Sequence, residues 1–326
     1  MRAARIVTLA LLAFCSAPHA QAEPKSGCAN PDALGVHRTI EVGATGGLHI
    51  GLKTYPQTLD LADKEVVLTF DDGPLPGLTD RVLDQLAAEC VRATFFFVGR
   101  NAQAHPEIAR RAAAAGHTIG HHSWSHPLQT LRGLSPAAAI EEITRGVDAT
   151  QRAAGQGPPG AGAPATPFFR FPGFADTPET LAWLDAHNVA VFGADLWASD
   201  WLTQTPEAQL ELTMHRLAAT RGGILLLHDI RAQTVAMLPD LLRRLKREGY
   251  RPPLTMLPIA VNSPVPCMSG QAGRKTGPGP PSLMDRTRSG RVSGVGPSTR
   301  SAESCASRRS SWRHITPLGI PVVPPV

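Results

Sequence analysis

From about residue 64 the chain alternates short, wholly apolar runs with longer amphipathic ones. The run 65–70 (Glu-Val-Val-Leu-Thr-Phe) predicts a strand, and 79–90 predicts a helix that gathers Val82, Leu83, Leu86, Ala87 and Cys90 on one face. A second strand is expected over 94–98, followed by a helix over 106–115 that Gly116 can end in the left-handed conformation. Three pairs, Ser135-Pro136, Thr177-Pro178 and Thr205-Pro206, have the form of an N-cap followed by proline at the first helical position, and each opens a helical stretch. Buried strands are expected over 189–192 and 223–227, and a helix over 235–247 stops before Gly249. A loop rich in Gly, Ala and Pro fills 155–167. Strands that are apolar on both faces and separated by helices imply an α/β fold with a parallel sheet covered on both sides, in which closure into a barrel is an option.

The two ends depart from this pattern. Arg2 and Arg5 precede a short apolar stretch, and Ala20-Gln21-Ala22 offers small residues where a signal peptidase reads, so 1–22 is expected to be a secretory signal cleaved after Ala22. Ser16, Pro18, His19 and Gln21 interrupt the run well short of the roughly 18 apolar residues a membrane span needs. No transmembrane segment is expected after cleavage, and the protein is expected to be exported to the periplasm or beyond. In that oxidising setting Cys28 and Cys90 are candidates for a disulfide that ties an N-terminal arm, 23–56, to the domain. Residues 252–326 hold thirteen of the thirty prolines and a single aromatic residue, so 259–326 is expected to be a solvated tail. Between arm and tail lies the main domain, expected over 57–258.

The formal charge of +5 does not describe that folded part. Two arginines lie before residue 23 and a surplus of seven positive charges lies after residue 251, which leaves 23–251 at −4. A basic total is therefore no argument for nucleic-acid binding, and none is expected.

Chemistry concentrates at the carboxyl ends of the predicted strands, where parallel sheets place their sites. The first strand runs into Asp71-Asp72-Gly73-Pro74. Adjacent carboxylates repel, so a cation is the simplest partner: Asp72 as its ligand, with Asp71 left free as a base. About fifty residues on, His122 and His126 stand at i and i+4, a spacing that on a helical turn brings both rings to one face. Two imidazoles and one carboxylate leave coordination positions open, as catalytic rather than structural sites do. His117 and His121 are left to packing or support. The strand at 223–227 delivers His228 to the same rim as a general acid. Arg170 can orient Asp71, Asp200 can support His228, and Trp201 offers a face on which a sugar ring can stack.

Taken together these segments resemble the polysaccharide deacetylases of the nodulation-protein-B homology family, over roughly 57–258. Thr69-Phe70-Asp71-Asp72-Gly73-Pro74 and His122 to Pro127 match the first two family motifs. Arg170-Phe171-Pro172-Gly173 resembles the third, with Gly173 where many members have Tyr. The stretch from Asp195 to Trp201 resembles the fourth with one extra residue between its acids, which leaves Asp195 and Asp200 as alternatives for supporting His228; Asp200 is preferred because it precedes Trp201. Leu226-Leu227-His228 matches the fifth. The resemblance implies a distorted (β/α) barrel and a hydrolase dependent on a divalent metal, zinc or another such as cobalt, that removes N-acetyl groups from amino-sugar glycans. It also implies that the Gly173 N–H steadies the oxyanion and that Leu226 lines the pocket for the acetyl methyl. An N-acetylated glycan is the expected partner and a monomer the expected state. An O-acetyl glycan esterase and a glycan-binding pseudoenzyme are the competing readings.

Overall fold

The computed structural model describes residues 28–156, 166–253 and 255–258. The chain divides into two units, Met1–Pro266 and Cys267–Val326. The expected signal, the whole of the expected tail and most of the Gly/Ala/Pro loop lie outside the described residues.

Two strands come first, β1 (Thr39–Val42) and β2 (Leu48–Ile50). An alternation of strands and helices follows: β3 (Val66–Asp71), α1 (Thr79–Ala88), β4 (Thr94–Phe97), α2 (Gly99–Ala104), α3 (Pro106–Ala114), β5 (Thr118–His121) and α4 (Pro136–Ala154). After it come β6 (Phe168–Phe169), α5 (Pro178–Ala186), β7 (Ala190–Phe192), β8 (Leu196–Trp197), α6 (Pro206–Thr220), β9 (Gly223–His228), α7 (Ala232–Arg247) and β10 (Thr255–Pro258). Ser135, Thr177 and Thr205 each accept the backbone N–H three residues on, so these three helices start where the caps predict.

Eight strands form one parallel sheet in the order β2-β7-β6-β5-β4-β3-β9-β8. The strands alternate between two faces. Val66, Leu68, Phe70, Phe95, Phe97, Leu225 and Leu227 pack outward against Val82, Leu86, Leu238 and Leu242 of the helices. Val67, Phe96, Phe168, Phe192 and Ile224 turn to the concave side, where they meet one another with Ile50. Among the described residues no backbone pairing joins the edge strands β2 and β8, so the sheet curls into a barrel that its ladders leave open. Asp195 spans that seam: its carboxylate accepts the Leu52 N–H (2.8 Å), the Thr58 hydroxyl (2.7 Å) and the Ile224 N–H (2.8 Å).

The segment expected as an N-terminal arm supplies β1 and β2 from its second half. The apolar alternation of Ile40 and Val42 places them with Ile50 in the inner core, and β1 pairs with β10 as a separate two-stranded parallel sheet. Glu65, buried just before β3, anchors this segment by accepting from Arg38 (2.7 and 2.6 Å), pairing with His37 (2.5 Å) and accepting the Ala62 N–H (2.8 Å). Cys28 is disulfide-bonded to Cys90, with the Cα atoms 5.8 Å apart.

Candidate active site

Parallel pairing brings the chemistry to one rim. β3 and β9 run in register, so that Asp71 stands opposite His228, and β5 ends at His121, immediately before His122. Arg170 follows β6, and its N–H donates to the His121 carbonyl (3.0 Å).

Asp72, His122 and His126 converge. Asp72 Oδ1 lies 3.4 Å from His122 Nε2 and 3.4 Å from His126 Nε2. That oxygen is buried and has no hydrogen-bond partner, a costly state for a carboxylate unless a cation takes the lone pairs. Separations of 3.4 Å also suit ligand atoms that share one ion at about 2.0–2.1 Å. The residues therefore fit a divalent metal. Burial alone would raise the Asp72 pKa, but the imidazoles of His122, His228 and His126 hold it well below the usual carboxylate range. Burial and the neighbouring His122 push His126 down. An ionised carboxylate beside a neutral imidazole is the protonation state a metal requires of its ligands.

The loop bearing the two histidines corrects an expectation. Residues 122–126 are not helical: Ser123 and His126 adopt positive φ of 62° and 51°. Pro127 disfavours a helical His126, and the carbonyls a helix would use accept instead from α2, Ser123 O from Gly99 N–H and Trp124 O from Arg100 N–H, both at 2.9 Å. The rings meet all the same, with centroids 5.2 Å apart. His122 Nδ1 is 2.7 Å from the Arg170 carbonyl, which places the proton on Nδ1 and frees Nε2 to act as a ligand. Glu142 of α4 accepts from both the N–H and the hydroxyl of Ser125 at 2.9 Å. Arg145 stacks over Trp124 at 3.8 Å.

Asp71 Oδ1 accepts from Arg170 Nη1 at 2.8 Å, while Oδ2 lies 3.8 Å from His122 Nε2. Arg170 has no exposed surface. It also donates to Thr69 Oγ1, Phe192 O and Gly193 O, and its guanidinium lies 4.3 Å from the Phe96 ring centre. On the other side of the cluster His228 Nε2 is 3.9 Å from Asp72 Oδ2. Of the two candidate acids it is Asp200 that reaches His228, with Oδ1 2.8 Å from Nδ1 and Oδ2 accepting the His228 N–H at 2.7 Å; Asp195 is committed to the seam. Thr234 donates to Asp200 Oδ2 and is itself bonded by Gln209. Burial disfavours the imidazolium of His228, yet Asp200, Asp72 and Asp71 outweigh it and raise the pKa to about 9.

The remaining predicted residues fall as follows. Trp201 is 44% exposed and meets His228 edge-on, with ring centres 6.1 Å apart. Leu226 is buried on β9 beside Thr69 and Trp197. Gly173 lies in a tight turn after Arg170 at φ 61°, where a Cβ would press on Thr130 at 3.3 Å. Sequence reasoning missed Asp229, Asn101 and Glu142. Asp229 was the most findable, as a second polar residue directly after His228 at the end of an apolar strand. It is wholly buried, and burial raises its pKa to about 7.

The sequence pattern of the polysaccharide deacetylase family matches residues 59–191. A peptidoglycan-N-acetylmuramic acid deacetylase of Bacillus subtilis is 31% identical over 195 residues, which cover 60% of this chain and 38% of that protein. A chitin deacetylase of Colletotrichum lindemuthianum is 34% identical over 198 residues, covering 57% of this chain and 75% of that one. Among solved structures, a peptidoglycan deacetylase of Bdellovibrio bacteriovorus superposes with a TM-score of 0.58 at 30% identity, over 69% of this chain and 59% of that one. This chain thus spans under two fifths of the Bacillus relative's length. Its matched region, parallel curled sheet and motif residues make it a member of the polysaccharide deacetylase family.

Proposed function

We propose that the protein is an exported, metal-dependent deacetylase that hydrolyses N-acetyl groups of amino-sugar glycans, with its catalytic domain over 57–258 joined by β1 and β2 of the preceding segment. The buried Asp72 Oδ1, left without a hydrogen bond between two imidazole nitrogens, is the observation that carries this reading. A divalent ion, zinc in this reading, held by Asp72, His122 and His126 supplies Lewis acidity toward the acetamide carbonyl and a more acidic water.

The protein's own groups do the rest. Arg170 engages Asp71 Oδ1 and leaves Oδ2 to take a proton from the attacking water. His228, kept cationic at neutral pH by Asp200, donates a proton to the departing amine. The Gly173 N–H steadies the developing oxyanion, and Leu226 limits the acyl pocket to a small group. Trp201 offers a face to a sugar ring. Among the described residues the large apolar side chains that are exposed, Leu52, Leu75, Leu128, Trp201 and Leu202, all follow sheet strands at this rim, where an extended glycan would lie. Export is supported by the Cys28–Cys90 disulfide, and no helix of the described residues is long and apolar enough to cross a membrane.

The test is acetate release from N-acetylglucosamine oligomers before chelation, after it, and after zinc or cobalt is restored. Release should depend on the metal, and Asp71→Asn should lower it by roughly 10²- to 10⁴-fold without loss of metal. Release untouched by chelation, or by the substitution, would refute the reading. Activity confined to O-acetylated glycans would make the protein an esterase instead.

A further inference from the structure

Asp229 takes no part in the chemistry above, yet its position is tightly defined. It follows His228 on β9, which pairs with β3, so its side chain meets the turn after Asp71. Oδ1 accepts the Gly73 N–H at 3.0 Å, and Oδ2 accepts the Thr79 hydroxyl at 2.5 Å. The Thr79 oxygen in turn accepts the Leu75 N–H at 2.8 Å. A Cβ at position 73 would fall 2.0 Å from Asp229 Oδ2, so only glycine permits this approach. Asp229 and Thr79 are both fully buried.

The turn they hold is the one that aims Asp72. Asp72 has φ 79°, a left-handed backbone that a residue with a side chain adopts only when its surroundings impose it. From the other side Asn101 donates to the Asp72 carbonyl at 2.8 Å, and the Gly73 carbonyl accepts the Val98 N–H at 2.9 Å. Four backbone groups of the turn are thereby held, two of them through Asp229 and Thr79. A carboxylate buried for packing alone has no need to converge on the peptide next to a ligand.

We propose that Asp229, acting with Thr79, is a positioning residue that holds Asp72 toward His122 and His126 and so sets the affinity for the catalytic cation. The inference rests on the metal-dependent reading above and assigns it a supporting pair. Carboxylates and hydroxyls that orient metal ligands from behind change affinity when removed, even though they never touch the ion.

Zinc affinity, measured by competition with a chromophoric chelator, tests this on the whole protein, beside kcat and KM on N-acetylglucosamine oligomers and the melting temperature of the metal-free form. Asp229→Asn and Thr79→Val should each weaken zinc binding by roughly 10- to 100-fold. Both should lower kcat at limiting zinc while KM stays within about twofold, excess zinc should recover part of kcat, and Thr79→Ser, which keeps the hydroxyl, should bind zinc as the wild type does. If Asp229→Asn and Thr79→Val lower only the melting temperature and leave zinc affinity and kcat unchanged, the pair is structural and the proposal is overturned. A wild-type protein that binds no zinc would overturn the metal reading itself, a result distinct from wild-type binding with unaltered variants.

Discussion

Arg170 shows how single side chains divide the work at this site. Wholly buried, it would be costly as an isolated charge, and it is retained with Asp71 as counter-ion and with Thr69 Oγ1 and two carbonyls as further acceptors, one or more for each nitrogen. His228 is tuned by the same means, with Asp200 as the nearest anion. In the role proposed for it His228 must carry a proton, and Asp200, with Asp72 and Asp71, raises its pKa to about 9. Replacing Asp200 with Asn removes the charge that raises the pKa, so the alkaline limb of kcat/KM against pH should move to lower pH. A limb that stays in place would mean another group titrates there. The places of Asp71, Asp72 and His228 at the rim were legible in the sequence because each lies at the end of an apolar strand or directly after it. Asp200 was preferred to Asp195 only for its place before Trp201, and the fold supplies the physical reason: one carboxylate faces β9 at His228 and the other faces the seam.

The histidine loop owes its shape to elements far from it in sequence. Gly146 of α4 lies so close that a Cβ there would be 2.4 Å from Ser123 C, 2.5 Å from Ser123 O and 2.7 Å from Trp124 N. Gly146→Ala should therefore push helix and loop apart, with a loss of about 1–3 kcal/mol in stability and weaker zinc binding. Thermal unfolding and zinc titration of this variant check both, and normal zinc affinity would show that the loop adapts without the helix. Helix α2 was not anticipated, for its six residues, Gly-Arg-Asn-Ala-Gln-Ala, carry no apolar stripe. The i,i+4 spacing of His122 and His126 pointed to two rings that do meet, but for the wrong local reason: they meet on a loop folded around Ser123, pinned by α2 and by Glu142.

For the molecule as a whole, closure depends on links that cross long stretches of chain. The Cys28–Cys90 bond spans a separation of 62 residues, and in the chain-entropy account a loop of that size contributes on the order of 4 kcal/mol. The Cys28→Ser, Cys90→Ser protein should unfold at correspondingly lower denaturant concentration, and an unchanged midpoint would make the bond dispensable. Acid should weaken the fold in two steps. Burial lowers the pKa of His117 from 6.5 to about 4, so the unfolded chain binds its proton first and stability falls as pH drops from 6.5 to 4, by up to about 3 kcal/mol. Glu65, held down to about 2 chiefly by its bond from Arg38, then loses its contribution between pH 4.5 and 2. Asp229, raised to about 7, works in the opposite sense between 3.8 and 7, so the measurement is the difference between the wild type and His117→Gln. That difference should grow with pH above 4, and a constant one would contradict a neutral buried His117.

Periodicity, caps and motif residues are local properties, and from them the sequence alone determined the parallel α/β class, the starts of the Pro-led helices and the identity of the groups at the rim. Contacts between distant segments are not written in any local pattern. Tertiary structure alone decided that β1 and β2 belong to the folded unit, that Asp195 bridges the seam while Asp200 serves His228, and that Asp229 stands behind Asp72. Each of these depends on which strand lies beside which, and that order is set by burial of the whole core at once.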